Sequence, residues 1–162
     1  MKKICFAVLL LLPLALQAVD GDQDTRCREE VVGPFETHFS RFLEAVRTRD
    51  WKIFNEYLDP ETDIIAILPD GKIHKGYEAF LETQKGYFSG KTGVFTYKIQ
   101  TVEESGEIGF GSIDATYEDV GADGVRFRLT LYISFVFKKR QSGGWYMIHD
   151  QNALRGKELL DE

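Results

Sequence analysis

The chain has 162 residues, with Lys plus Arg at 20 and Asp plus Glu at 26, so its formal net charge is −6 at pH 7. That length is one domain, and the acidic balance argues against nucleic acid or an anionic membrane surface as partner. Hydrophobic residues at 43% and charged residues at 28% exclude a disordered or fibrous chain, and two Cys exclude a disulfide framework or the usual Cys-based zinc site.

Residues 1–18 read as a secretory signal peptide. Lys2 and Lys3 make a short positive start, Ile4 to Leu16 is almost wholly apolar, and small Ala18 stands at the expected cut. The apolar run is shorter than the ~20 residues a membrane-spanning helix needs. Cleavage would remove Cys5 and leave Cys27 as a single thiol. The expected location is periplasmic or secreted, with no membrane attachment once the segment is gone. Polar residues 19–31 follow as a flexible leader, then one domain over 32–155 and a C-terminal tail over 156–162.

Within the domain, Gly33-Pro34 opens a helix whose Phe35, Phe39, Phe42, Leu43 and Val46 recur at helical spacing. Asp50 caps a short second helix that buries Trp51, Phe54, Tyr57 and Leu58 and stops at Asp59-Pro60. Ile64 to Leu68 is a β-rich run closed by the turn Pro69-Asp70-Gly71, with a brief return over Lys72 to His74. A third helix fits Gly76 to Phe88.

Four strands complete the chain: Val94 to Glu103, Ile108 to Asp119, Val125 to Lys138 and Trp145 to Leu154. Their short Gly-containing connections predict an antiparallel meander. The third of these strands alternates without a break: Val125, Phe127, Leu129, Leu131, Ile133, Phe135 and Phe137 occupy successive odd positions. One face must therefore meet a core and the other water or a partner. Gly109 and Gly111, inside a strand, read as a bend or bulge that curves the sheet. Helices followed by a long sheet make an α+β domain with the helices on one sheet face.

Trp51, the helix start Gly76-Tyr77-Glu78-Ala79-Phe80 and the strand Gly144-Trp145-Tyr146-Met147-Ile148-His149 resemble the SnoaL-like members of the nuclear transport factor 2-like superfamily, which include the association domain of calmodulin-dependent kinase. The likeness covers about Val32 to Ala153. It implies a cone-shaped, cystatin-like fold in which a curved antiparallel sheet wraps around three helices and leaves a pocket at the open end. Many relatives dimerise through the outer sheet face. Their activities run from isomerase, cyclase and dehydratase to pure assembly, so the fold leaves function open. Ketosteroid isomerase chemistry is disfavoured, because the positions implied for its base and donors fall near Phe42, Ile67 and Phe135, all apolar.

Two registers of the last hairpin remain open. If its loop has two or four residues, Phe135 faces Asp150, and Ile148, Asp150 and Asn152 look into the cone; if three or five, Trp145, Met147 and His149 do. The resemblance favours the first and side-chain polarity the second. Under the first, Asp114 also points inward with Ser112 and Thr116, making Asp114 and Asp150 candidate acid–base residues. The candidate pocket is then Asp114, Asp150, Asn152, Phe135 and Ile148. Tyr132, Val136, Trp145 and Met147, with Tyr97 and Tyr117, would form an outer face suited to a homodimer.

The three His stand at no metal-ligand spacing, and neither a Ser-His-Asp order nor a phosphate loop is present, so no metal or other cofactor is expected. The leading expectation is non-catalytic binding of a small apolar or amphipathic molecule, or assembly through a sheet-face homodimer. The alternative is a SnoaL-like cyclase, isomerase or dehydratase using pocket carboxylates. A third possibility is a protein-interaction domain whose pocket is filled by Phe135 and Phe137.

Overall fold

The computed structural model describes residues 34–160; the segments expected as signal peptide and leader, with Cys27, lie outside the described residues. The elements in chain order are α1 (Phe35–Thr48), α2 (Trp51–Glu56), β1 (Ile65–Ile67), β2 (Ile73–Lys75), α3 (Tyr77–Ser89), β3 (Val94–Ser105), β4 (Ile108–Val120), β5 (Arg126–Lys139) and β6 (Trp145–Leu160). They form one curved six-stranded sheet in the order β2-β1-β6-β5-β4-β3, with the helices against its concave face. The meander β3 to β6 is antiparallel, as the turn signals require. In contrast, β1 pairs parallel with β6, Ala66 beside Asp150, so the first short strand joins the sheet through the last long one. Where a tail was expected, residues 156–160 continue β6, with Leu159 opposite Phe127 and Leu160 opposite Arg126.

α1 supplies the centre of the core. Its apolar stripe places Phe35, Phe39 and Phe42 against β5 and β6, with ring centroids 4.9 Å apart for Phe35 and Trp145, 5.8 Å for Phe39 and Phe135, and 5.3 Å for Phe42 and Phe135. Each buried ring contributes roughly 1.5–3 kcal/mol from burial. Pro34 offers no side-chain cap to α1. Glu104 on β3 takes that role from a distance: the Phe35 backbone N–H donates to its Oε2 at 2.9 Å, while Lys139 Nζ approaches Oε1 at 3.2 Å. A carboxylate at that end also complements the helix dipole.

Gly109 and Gly111 have another purpose than the bend expected from sequence. The β4–β5 ladder passes through both without a register shift, opposite Phe137 and Phe135. A Cβ on Gly109 would meet the Phe35 ring at 2.5 Å, and one on Gly111 the Phe39 ring at 2.3 Å. The bare backbone lets α1 settle directly on the sheet. The irregularities lie elsewhere, on β3 and β6. Gln100 is the extra residue between Ile99 and Thr101, Ile148 is extra where Val136 pairs His149 and Phe137 pairs Met147, and Arg155 is extra between Leu154 and Gly156.

The bulge at Ile148 resolves the two registers by using parts of both. Below it Trp145 and Met147 face the core, 1% and 0% exposed; above it Asp150 stands opposite Phe135 and also faces inward. An inserted residue reverses the alternation, so both sets can share one face. Trp145 and Met147 therefore do not belong to the outer face proposed for a dimer. The Met147 N–H donates to the Tyr57 carbonyl at 2.8 Å, and Arg140 reaches the Glu56 and Leu58 carbonyls at 3.2 and 3.1 Å, fixing the start of β6 to the end of α2.

Candidate functional site

The rings of Phe35, Phe39 and Phe137 fill one end of the cone. Toward the other end, the helices and sheet separate around a cavity of about 230 Å³. Phe42 and Val46 of α1, Phe54 of α2, and Tyr87 of α3 form its helical wall. Phe95 of β3, Tyr117 of β4, Leu129 to Phe135 on alternate positions of β5, and Met147 of β6 form its sheet wall. Leu68 and Pro69, after β1, and Thr83 and Gln84, on α3, lie along the rim. Phe135 thus lines a space that it does not fill, and Phe137 is buried beside it in the packed core.

Asp150 and Asn152 introduce polarity into this apolar enclosure. β6 carries both inward, opposite Phe135 and Ile133. Asn152 Nδ2 donates to Asp150 Oδ1 at 3.0 Å and to the Ile67 carbonyl at 3.3 Å, which engages both of its hydrogens and ties the pair to the end of β1. Asp150 is 6% exposed. Burial pushes its carboxyl up to about 7, and the Asn152 hydrogen bond offsets only part of that rise. Near neutral pH the group therefore exists in both forms. Protonated it can donate to a ligand; ionised it can only accept. A carboxyl poised in this range can also exchange a proton with a bound molecule.

Asp114 is placed differently from the expectation. It pairs across the ladder with Tyr132 and lies on the convex outer face, where Arg155 Nη1 and Gln100 Nε2 donate to its two carboxylate oxygens. Ser112 and Thr116 share that face, and Ser112 Oγ accepts from Tyr132 Oη at 2.8 Å. An acid–base pair of Asp114 and Asp150 is therefore excluded by the sheet between them. The alternation Ile113, Ala115, Tyr117 on β4 carries the signal that would have placed this strand correctly.

Phe135, Asp150 and Asn152 come together in the cavity as expected under the first register. Ile148 lies at the bulge and is not among the lining residues. Tyr117 and Tyr97, expected outside, turn inward: Tyr117 lines the cavity, and Tyr97 packs against the core. Tyr132, at 38% exposure, and half-buried Val136 remain on the outer face. Tyr87 and Tyr117 were not recognised as site residues in the sequence. The Tyr87 hydroxyl donates to the Val46 carbonyl at 2.8 Å, and the Tyr117 hydroxyl donates to Asp119. Burial raises both phenols to about 12.

A family model described as a SnoaL-like domain matches residues 36–153. No curated protein matches the chain in sequence. Several solved structures share its fold. The calcium/calmodulin-dependent protein kinase II hub of S. rosetta is 20% identical, the match covering 76% of this chain and 98% of that one, with a TM-score of 0.59. A hexachlorocyclohexane dehydrochlorinase of type 2 is 12% identical over 78% of this chain and 86% of its own, with a TM-score of 0.63. A ketosteroid isomerase-like protein from Erwinia carotovora is 18% identical over 75% and 93%, with a TM-score of 0.62. The similarity extends to a hub and to an enzyme, so it establishes architecture and leaves the use of the cavity to its own chemistry.

Proposed function

The chain belongs to the SnoaL-like domain family, with the nuclear transport factor 2-like fold, and from that premise we propose that it binds a compact, largely apolar small molecule in the cavity that Asp150 lines. The observation that carries this reading is one carboxyl held inside an apolar enclosure with Asn152 as its hydrogen-bond partner among the described residues. Such a group is costly to bury unless something else uses it. A small apolar cleft with a single ionisable anchor suits recognition of one functional group on an otherwise hydrophobic body. The second carboxylate that acid–base turnover was expected to use stands on the opposite face of the sheet, which favours binding over a two-carboxylate reaction. The test is calorimetric titration with compact aryl and alicyclic compounds. Saturable binding by the native protein that is lost when Phe135 is replaced by Trp, which fills the space, supports the reading; absence of binding across the set removes it.

Self-association through the convex face is a second element of the proposal. Exposed Tyr132 and neighbouring Val136 lie at its centre, and the fold is shared with an assembly hub. Sedimentation equilibrium checks it, with Tyr132→Glu expected to shift the protein toward monomer. The segment over residues 1–18 supports a periplasmic or secreted site of action, which amino-terminal sequencing of exported protein tests directly.

A further inference from the structure

The hydrogen-bonding inventory of the cavity is one-sided. Asn152 uses both amide hydrogens, on Asp150 and Ile67. The Tyr87 hydroxyl donates to Val46, the Tyr117 hydroxyl to Asp119, and Thr83 Oγ1 to the Ala79 carbonyl at 3.0 Å. Gln84 is the remaining amide, and it lies on α3 at the rim. The deep part of the enclosure thus offers an acceptor and few donors. Among the described residues that line it, none is Lys, Arg or His, so Asp150 faces no protein cation. Phe42, Phe54, Tyr87, Phe95, Tyr117 and Phe135 come from six different elements and surround the space with aromatic groups.

We infer that the ligand class is a compact primary or secondary amine, bound as its ammonium ion with the N–H groups directed at Asp150 and the positive charge against the surrounding rings. This deepens the binding proposal and rests on it. A carboxylate supplies the countercharge, and aromatic faces attract a cation through their quadrupole, an interaction that strengthens when both are withdrawn from water. A carbonyl compound would need a donor, which the deep cavity supplies only when Asp150 is protonated. An anionic ligand would meet Asp150 as a like charge.

The two chemistries depend on pH with opposite signs. Asp150 titrates near 7 in the empty protein. Across the cavity, α3 and β4 present Tyr87 and Tyr117, both titrating at about 12. α1, α2, β3 and β5 contribute apolar lining residues, Leu68 and Pro69 follow β1, and β2 places His74 behind the rim, its Nδ1 hydrogen-bonded to Thr83 Oγ1 and its ring outside the lining. From pH 6 to 8 Asp150 is therefore the titrating group that faces the ligand. An ammonium ion needs the ionised form and should bind about ten-fold more weakly at pH 6 than at pH 8. A ketone needs the protonated form and would show the reverse.

The experiment is isothermal titration of the purified protein with 2-phenylethylamine, 2-phenylethanol and acetophenone at pH 6 and pH 8. These probes share a heavy-atom count and differ in the polar group. Expected is preferential binding of the amine at pH 8, by at least ten-fold over the alcohol, falling at pH 6. In Asp150→Asn, confirmed as folded by circular dichroism, the preference for the amine should vanish. Tighter binding of acetophenone at pH 6, or equal binding of amine and alcohol by the native protein, overturns the amine assignment while leaving a small-molecule site in place. No binding by any of the three overturns the assignment, and failure of the wider compound set as well overturns the site.

Discussion

The ring of Phe39 occupies the space that a side chain on Gly111 would need, lying 2.3 Å from where its Cβ would sit. α1 therefore rests on the sheet at a distance set by the absence of one methyl group. Because the ring is fully buried, it has little room to yield. Gly111→Ala should destabilise the fold by about 1–3 kcal/mol. Gly86→Ala, inside α3 with nothing within 4 Å, should instead stabilise by ~0.5–1 kcal/mol through helix propensity. Urea denaturation of the two variants checks the contrast, and equal effects would show that α1 is not seated as described.

A pH titration of stability isolates Asp150. Its carboxyl is raised from 3.8 to about 7 in the folded protein. Between those values the folded chain holds a proton that the unfolded chain has released, so this group's contribution falls as pH rises and levels off above the folded value. The total is about 4 kcal/mol, following 1.36 kcal/mol for each pH unit. Asp150→Asn lacks the titration and can still accept the Asn152 hydrogen bond. The stability of the variant relative to native protein should therefore increase from pH 4 to pH 7 and then remain flat. A difference independent of pH would place the carboxyl in water.

Glu104 contributes with the opposite sign. The Phe35 N–H and then Lys139 hold its carboxyl below the usual carboxylate range. Its contribution is present above the unfolded value and is lost as pH falls through the folded one. Removing the remote cap by Glu104→Ala should cost about 1 kcal/mol at pH 7, as loss of a helix cap does. Glu104→Gln, which keeps an acceptor for Phe35, should recover part of it. Thermal unfolding of the two variants distinguishes a cap from simple surface charge.

The two carboxylates that looked alike in the sequence should separate cleanly in solution. Asp114→Asn weakens an ion pair with Arg155 on the outer face and should change stability by less than about 1 kcal/mol. It should leave amine binding unchanged, whereas Asp150→Asn removes the preference. Titration calorimetry on both variants reads this directly. Equal loss of binding in the two would mean that Asp114 reaches the cavity.

Much of the fold was legible because β5 alternates without interruption and α1 has an unbroken helical stripe. Alternation alone leaves two registers open for the last hairpin; the pairing of Phe135 with Asp150 follows from the family resemblance, against side-chain polarity. What escaped was set by residues that leave no mark in a sequence pattern. Ile148 is an ordinary strand residue, yet as the extra residue of a bulge it turns Trp145 and Met147 into core while leaving Asp150 inside. Asp114 stands on the outer face because its neighbours Ile113, Ala115 and Tyr117 alternate inward, a plainer signal than the hairpin register. The parallel pairing of β1 with β6 joins segments far apart in the chain, and nothing local announces it.

That pairing has a consequence for how the molecule is made. β1 and β2 emerge from the ribosome early, but the strand that ties them to the sheet is the last to appear, and their own three-residue ladder is too short to persist alone. Asn152, which anchors Asp150 to the end of β1, arrives at the same late moment. The cavity thus takes shape only as synthesis finishes, and a chain arrested before β6 would expose the apolar lining of α1 and β5 to whatever chaperone or neighbour it meets.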